Sequence, residues 1–159
     1  MIAIKHFREL IVRPVLDKLQ LYNQDREELL VITCAQESLG GTYLMQNGLR
    51  GYPDGPALGI YQIEPDTYDD LFANFLAYRT RLWELLVGAV LHKPGKPRLI
   101  YDLQYATGVA AMQYYRFREP IPQNLEGKFA YYKRYWNSEL GKATIPEVRR
   151  NYERFLASG

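Results

Sequence analysis

One carboxylate, a glycine-rich turn and a second acidic motif fall within a single short span, Thr33 to Asp70, which marks it as the candidate active site. Glu37 follows a dense apolar run that includes Leu29, Leu30, Val31, Ile32, Cys34 and Ala35, and it precedes Leu39 and the pair Gly40-Gly41. The pattern predicts a largely buried helix over 25–39, ended by the two glycines. Glu37 then sits in the last turn, on one face with Leu30 and Thr33. The negative end of the helix dipole and the apolar surroundings both disfavour an anion there, so they favour the protonated acid. A carboxylic acid kept protonated near neutral pH can protonate a leaving oxygen, the step a glycosidic bond needs before it breaks. The same position also suits a plain solvent-facing residue at a helix end, since charged side chains are mostly exposed.

The second motif, Gly55-Pro56-Ala57-Leu58-Gly59-Ile60-Tyr61-Gln62-Ile63-Glu64-Pro65, begins as a turn, runs through a short alternating segment and stops at a proline. Glu64-Pro65-Asp66-Thr67 makes a reasonable helix start with an N-cap. Together, Glu37-Ser38 and the later Gly59-Ile-Tyr-Gln-Ile-Glu-Pro-x-Thr67 resemble the lytic transglycosylase and goose-type lysozyme group of the lysozyme-like superfamily. The family pattern is a helix-ending Glu-Ser followed by Gly-Leu-Met-Gln-Ile-x-Pro-x-Thr. The resemblance puts Glu37 on the catalytic acid, Ser38 on the serine that holds it, and Gly59, Gln62, Ile63, Pro65 and Thr67 on the second motif. Tyr61 and Gln62 are then expected to line the cleft floor. Transglycosylases usually carry an apolar residue where this chain has Glu64, whereas goose-type lysozymes carry an aspartate that helps position water. Glu64 is thus either the second carboxylate of a hydrolase or part of a helix cap.

Stepping from these residues to the chain that must hold them, 159 residues suit a single domain. A chain of that size can bury roughly 70% of its unfolded surface, enough for an independent enzyme. Hydrophobic residues at 47% and charged ones at 24% argue against disorder or a fibrous repeat. A net charge of +2 is too small to point to nucleic acid. Cys34 is the single cysteine, so it has no internal disulfide partner and reads as a small core residue. The two histidines, His6 and His92, stand in no zinc or cysteine-protease pattern, so neither a metal nor a cofactor is expected. No stretch of about eighteen apolar residues occurs, and charges interrupt the N-terminal apolar runs, so neither a transmembrane segment nor a signal peptide is expected.

The periodicity is helical almost throughout. Residues 1–21 place Ile4, Phe7, Leu10, Ile11, Val15, Leu16 and Leu19 at helical spacing, with a kink or restart expected at Pro14. Asp66 or Thr67 can cap a helix to about Ala77, and Thr80 another through Trp83, Leu86, Val87, Val90 and Leu91. Lys93-Pro94-Gly95-Lys96-Pro97 breaks the pattern. Further helices are predicted over 99–117 and 125–137, and Thr144 with Glu147 forms a capping box for a last helix to about Leu156. The expected fold is an all-α single domain over 1–159; the resemblance implies the lysozyme-like, transglycosylase-type form of it.

Tyr131, Tyr132, Tyr135 and Trp136 crowd one predicted helix and cannot all point inward, so some should face solvent or a groove where aromatic rings can stack on sugars. Alternatively, Tyr132 and Trp136 fill the core. Phe129-Ala130-Tyr131-Tyr132 is similar to the transglycosylase Ala-Tyr-Asn-Ala-Gly motif, with Tyr131 on the tyrosine near the acid and Tyr132-Lys133-Arg134 replacing the Asn-Ala-Gly. Gly55 to Gly59, Gln62, Glu64, Pro65, Trp136, Asn137, Gly141 and Lys142 also resemble compact phage proteins that cleave murein, either in the virion or as endolysins. The resemblance implies cleavage of the β-1,4 bond between N-acetylmuramic acid and N-acetylglucosamine, by a lytic or a goose-type hydrolytic route. It equally allows an inactive structural or glycan-binding virion protein of the same fold. Peptidoglycan strands and other virion proteins are the implied partners. The implied location is the phage virion, or the host cytoplasm before release to the wall.

Overall fold

Asn23 starts the central helix α3, Gln24–Ser38, by accepting a hydrogen bond from the Arg26 backbone N–H, while Asp25 and Glu27 suit the positive end of the helix dipole. The computed structural model describes residues 1–45, 56–89, 95–138 and 140–159, and the regular elements among them are all helical. Leu29, Leu30, Val31, Ile32, Cys34 and Ala35 of α3 are completely buried. The helix is therefore covered on every side, which its near-continuous apolar run requires. It packs against the N-terminal helical segment and against helices near residues 103–115, 125–132 and 145–156. Leu39, at φ +51°, ends it in the left-handed region, and Gly40 and Gly41 continue at φ +66° and +79°. The two glycines thus extend a turn that a leucine opens.

The N-terminal segment restarts as an α-helix at Arg13, with Pro14 in its first turn, and stays helical throughout. It runs as α1, Ile4–His6, a π-helical stretch, Phe7–Val12, and α2, Arg13–Lys18. The Arg13 N–H donates to the Arg8 carbonyl five residues back, and this wider turn accommodates the proline, which has no N–H to give and crowds the preceding turn. Leu10, expected on the apolar face, is instead 59% exposed.

Helix α4, Pro65–Asn74, begins one to two residues before the expected caps, with Glu64 in the N-cap position, and a 3₁₀ turn, Leu76–Tyr78, follows. Helix α5 is Thr80–Ala89. Gly55, the loop 46–55, Val90, Leu91, His92 and Lys93-Pro94 of the expected breaker lie outside the described residues. The helix predicted over 99–117 is two: α6, Arg98–Tyr101, and α7, Leu103–Tyr115. Asp102 makes the break, because its extended backbone ends α6 while its carboxylate accepts from the Tyr105 N–H and restarts the chain as α7. Helix α8, Leu125–Tyr132, passes directly into a π-helical stretch, Lys133–Asn137. Thr144 caps α9, Ile145–Leu156, by accepting from the Glu147 N–H.

One connected core of buried apolar side chains draws on α1 through α9. The first and last residues meet beside the end of α3: the Ile2 N–H donates to the Gly40 carbonyl, and the Ile4 N–H donates to Ser158 Oγ. Among the described residues, no helix is long and apolar enough to cross a membrane.

Candidate active site

Glu37 sits one residue before the end of α3, where the helix leaves the core, and its side chain is half-buried. Three pieces of chain converge on it. A tight hairpin-like turn pairs Leu58 with Ile63 in both directions, N–H to carbonyl at 3.0 Å each way. Gly59 stands in this turn at φ +75°, and a Cβ there would lie 1.9 Å from the Leu99 carbonyl oxygen, so no other residue fits without movement. Gln62 turns the chain back at φ +47°, and its Nε2 donates to the Gly59 carbonyl at 2.7 Å. Ser38 ties the turn to α3: its buried hydroxyl lies 2.7 Å from the Ile60 carbonyl and accepts from the Gly41 N–H at 2.9 Å. Ser38 therefore fixes the backbone that carries Glu37 and makes no direct bond to the carboxyl.

These elements, α7 and the π-helical end of α8 enclose a cleft of about 580 Å³, within the usual range for small-molecule sites. Glu37, Gln62, Glu64, Thr67, Gln113, Tyr135, Trp136 and Lys142 are among its lining residues. Trp136 is backed by Tyr114, with ring centres 5.0 Å apart, and by Tyr61 at 6.4 Å. The aromatic run thus divides: Tyr135 and Trp136 reach the groove, whereas Tyr131 and Tyr132 are buried.

Burial pushes the Glu37 carboxyl up to about 7; the Tyr132 hydroxyl bound to it pulls the other way, and the nearby negative charge of Glu64 raises it further. The Tyr132 hydroxyl donates to Glu37 Oε1 at 2.5 Å. Burial also raises the Tyr132 phenol well above its ordinary value, so it remains a donor. Glu64 is exposed and occupies the N-cap position of α4, but its side chain makes no capping bond. It is among the residues that line the cleft. The site therefore combines a proton-holding carboxyl with a second, solvated carboxylate on the same groove.

Two residues expected to line the cleft do not. Tyr61 is completely buried, its hydroxyl 3.1 Å from Thr107 Oγ1, because the turn 58–63 sets Ile60, Tyr61 and Ile63 all into the core, Tyr61 beside Phe7. Tyr131 donates to the Glu119 carbonyl at 2.8 Å and packs on Tyr135 and Tyr114. It makes no bond to Glu37; the contact belongs to the next residue, since one step along a helix rotates a side chain by about 100°. Tyr132 lies at i+3 from the buried Phe129 and four residues before Trp136, a helical row that points to the core and the acid together. Burial pushes the Cys34 thiol up to about 12, consistent with a packing role. Among the described residues, no group of acidic, histidine or cysteine side chains is arranged to hold a metal ion.

Comparison with protein-family models, with curated proteins and with solved structures gives no match to this chain.

Proposed function

We propose that this all-helical protein has a lysozyme-like fold and cleaves the β-1,4 bond between N-acetylmuramic acid and N-acetylglucosamine, with Glu37 as the general acid. The observation that carries the reading is a half-buried carboxyl, protonated up to about pH 7, that opens on a cleft lined by Glu64, Gln62 and Trp136. Glu37 gives its proton to the glycosidic oxygen, and the leaving sugar departs from an oxocarbenium-like centre. Trp136 offers a flat apolar face to a sugar ring, and Gln62, whose amide nitrogen is engaged on Gly59, offers its amide oxygen to a ring substituent. In the lytic route the sugar's own 6-hydroxyl attacks the centre, ionised Glu37 takes its proton, and a 1,6-anhydro end forms.

Glu64 supports a second reading, in which it orients an attacking water and the product is a reducing sugar. Its exposure on the cleft and its unused capping position favour that role; inverting chemistry places the two carboxyls about 6.5 to 9.5 Å apart. A phage origin, in a virion or as an endolysin, belongs to the same proposal and rests on the residue pattern around 55–65 and 136–142. The test is digestion of purified peptidoglycan by the protein and by Glu37→Gln, with mass analysis of the soluble fragments. Fragments with 1,6-anhydro ends that vanish in the variant establish the lytic route, and reducing ends move Glu64 to the centre. No fragments, where a control lysozyme releases them, overturn cleavage and leave a structural or glycan-binding role.

A further inference from the structure

Lys142 is the only cationic side chain among the described residues that line the cleft. It is exposed, and among the described residues it makes no ion pair or hydrogen bond. Lys133, nine residues earlier, is used quite differently. The half-buried Lys133 Nζ donates to Asn137 Oδ1 at 2.7 Å and to the Gly141 carbonyl at 2.5 Å, clamping the end of the π-helical stretch to the turn that follows. Ser138 stands at φ +65°, the Gly141 N–H donates to the Ser138 carbonyl, and a Cβ on Gly141 would lie 2.1 Å from the Asn137 carbonyl oxygen. A half-buried cation thus ties down the chain end from which an exposed one is presented.

A neutral glycan gains from an ammonium group on the rim only hydrogen bonds to neutral oxygens, whereas a carboxylate gains a bond in which both partners are charged, roughly twice as strong. We infer that Lys142 binds a carboxylate on the glycan, so that the cleft prefers acidic, muramyl-type chains to neutral polymers of N-acetylglucosamine. This deepens the proposed function and rests on the cleft being a glycan site. Two groups supply the chemistry: the lactyl acid of a muramic residue without peptide, and the carboxylates of a stem peptide.

The test is calorimetric titration of the full chain carrying Glu37→Gln, so that nothing is cleaved. Three probes are used: chitotetraose, a peptide-free tetrasaccharide of alternating N-acetylglucosamine and N-acetylmuramic acid, and the same glycan with its stem peptides. At low salt the acidic glycans should bind about three- to tenfold more tightly than chitotetraose. Added salt should narrow the gap. Lys142→Met should remove the preference, and Lys142→Arg should keep it. Preference for the peptide-free probe identifies the lactyl acid; preference restricted to the peptide-bearing probe identifies the stem. Equal binding of all three probes, a preference that survives Lys142→Met, or no binding at all overturns the inference. Because the readout is binding, a protein that cuts nothing but shows the Lys142-dependent preference loses the cleavage reading and keeps this one.

Discussion

At the scale of the residue, Glu37 is held between two neighbours that act on its proton in opposite directions. The Tyr132 hydroxyl donates to the carboxyl and favours its ionised form, and the Glu64 charge disfavours that form. Each can be removed without changing much volume. Tyr132→Phe takes away the donor, so the Glu37 pKa should rise above about 7. Glu64→Gln takes away the repulsion, so it should fall. A carbon-13 titration of the Glu37 carboxyl reads both shifts whether or not the protein turns over substrate. If it does, the alkaline limb of the pH–rate profile should move up in Tyr132→Phe and down in Glu64→Gln, because a general acid works only while protonated. No shift in either variant would show that burial alone sets the proton affinity.

At the scale of the element, the turn 58–63 depends on one glycine. Gly59→Ala would demand both a left-handed alanine and 1.9 Å of approach to the Leu99 carbonyl, a backbone atom that cannot swing aside. The expected loss is about 3 kcal/mol, from overpacking and backbone strain together. Gly88 in α5 is the control. Among the described residues nothing lies within 4 Å of where its Cβ would stand, and Gly88→Ala should gain about 1 kcal/mol from helix propensity alone. Urea unfolding of both variants tests the contrast, and a tolerated Gly59→Ala would mean that α6 can move away from the turn. Much of this was legible in the chain: the apolar run of α3 with its paired glycines, the glycine of the turn, and the Thr144 cap all carry local signals. Three features were not. Asp102 interrupts a run whose periodicity reads as continuous, and of the π-helical stretches at 7–12 and 133–137 only the first has a mark in the chain, Pro14, which reads as a kink and not as a wider turn. The adjacent tyrosines 131 and 132 differ only by a helical step, so which one meets Glu37 depends on how α8 is rolled against α3, a tertiary fact.

At the scale of the whole molecule, two carboxylates of α3 give stability opposite dependences on pH. Glu27 is 2% exposed and joins the N-terminal helices to α3 through Arg8 and Arg13, each at 2.9 Å. Burial raises its pKa, but the bonds from Arg13 and Arg8 outweigh that and hold it below the ordinary carboxylate value. A depressed pKa contributes stability that is present above the unfolded value, about 4.3, and is lost as pH falls through the folded one. Glu37 runs the other way. Its folded pKa of about 7 lies above the ordinary carboxylate value, about 4.3 in the unfolded chain, so its contribution is complete below that value and is lost as pH rises to about 7. The loss proceeds at roughly 1.4 kcal/mol per pH unit, or about 3 kcal/mol in all. Together they favour the mildly acidic range between the protonation of Glu27 and the ionisation of Glu37, where both contributions are present. The gap in unfolding free energy between Glu37→Gln and the natural sequence should then widen by about 3 kcal/mol, in the variant's favour, from pH 4.5 to 8. Glu27→Gln should cost about 2 kcal/mol at pH 7, less than breaking a fully buried pair because Arg13 is 43% exposed. That cost should shrink on acidification as the natural Glu27 takes up its proton. Parallel profiles for the natural chain and Glu37→Gln would contradict the raised pKa itself. A widening gap would instead mean that the acid group at the end of α3 is kept at the expense of the fold, as a group retained for chemistry would be.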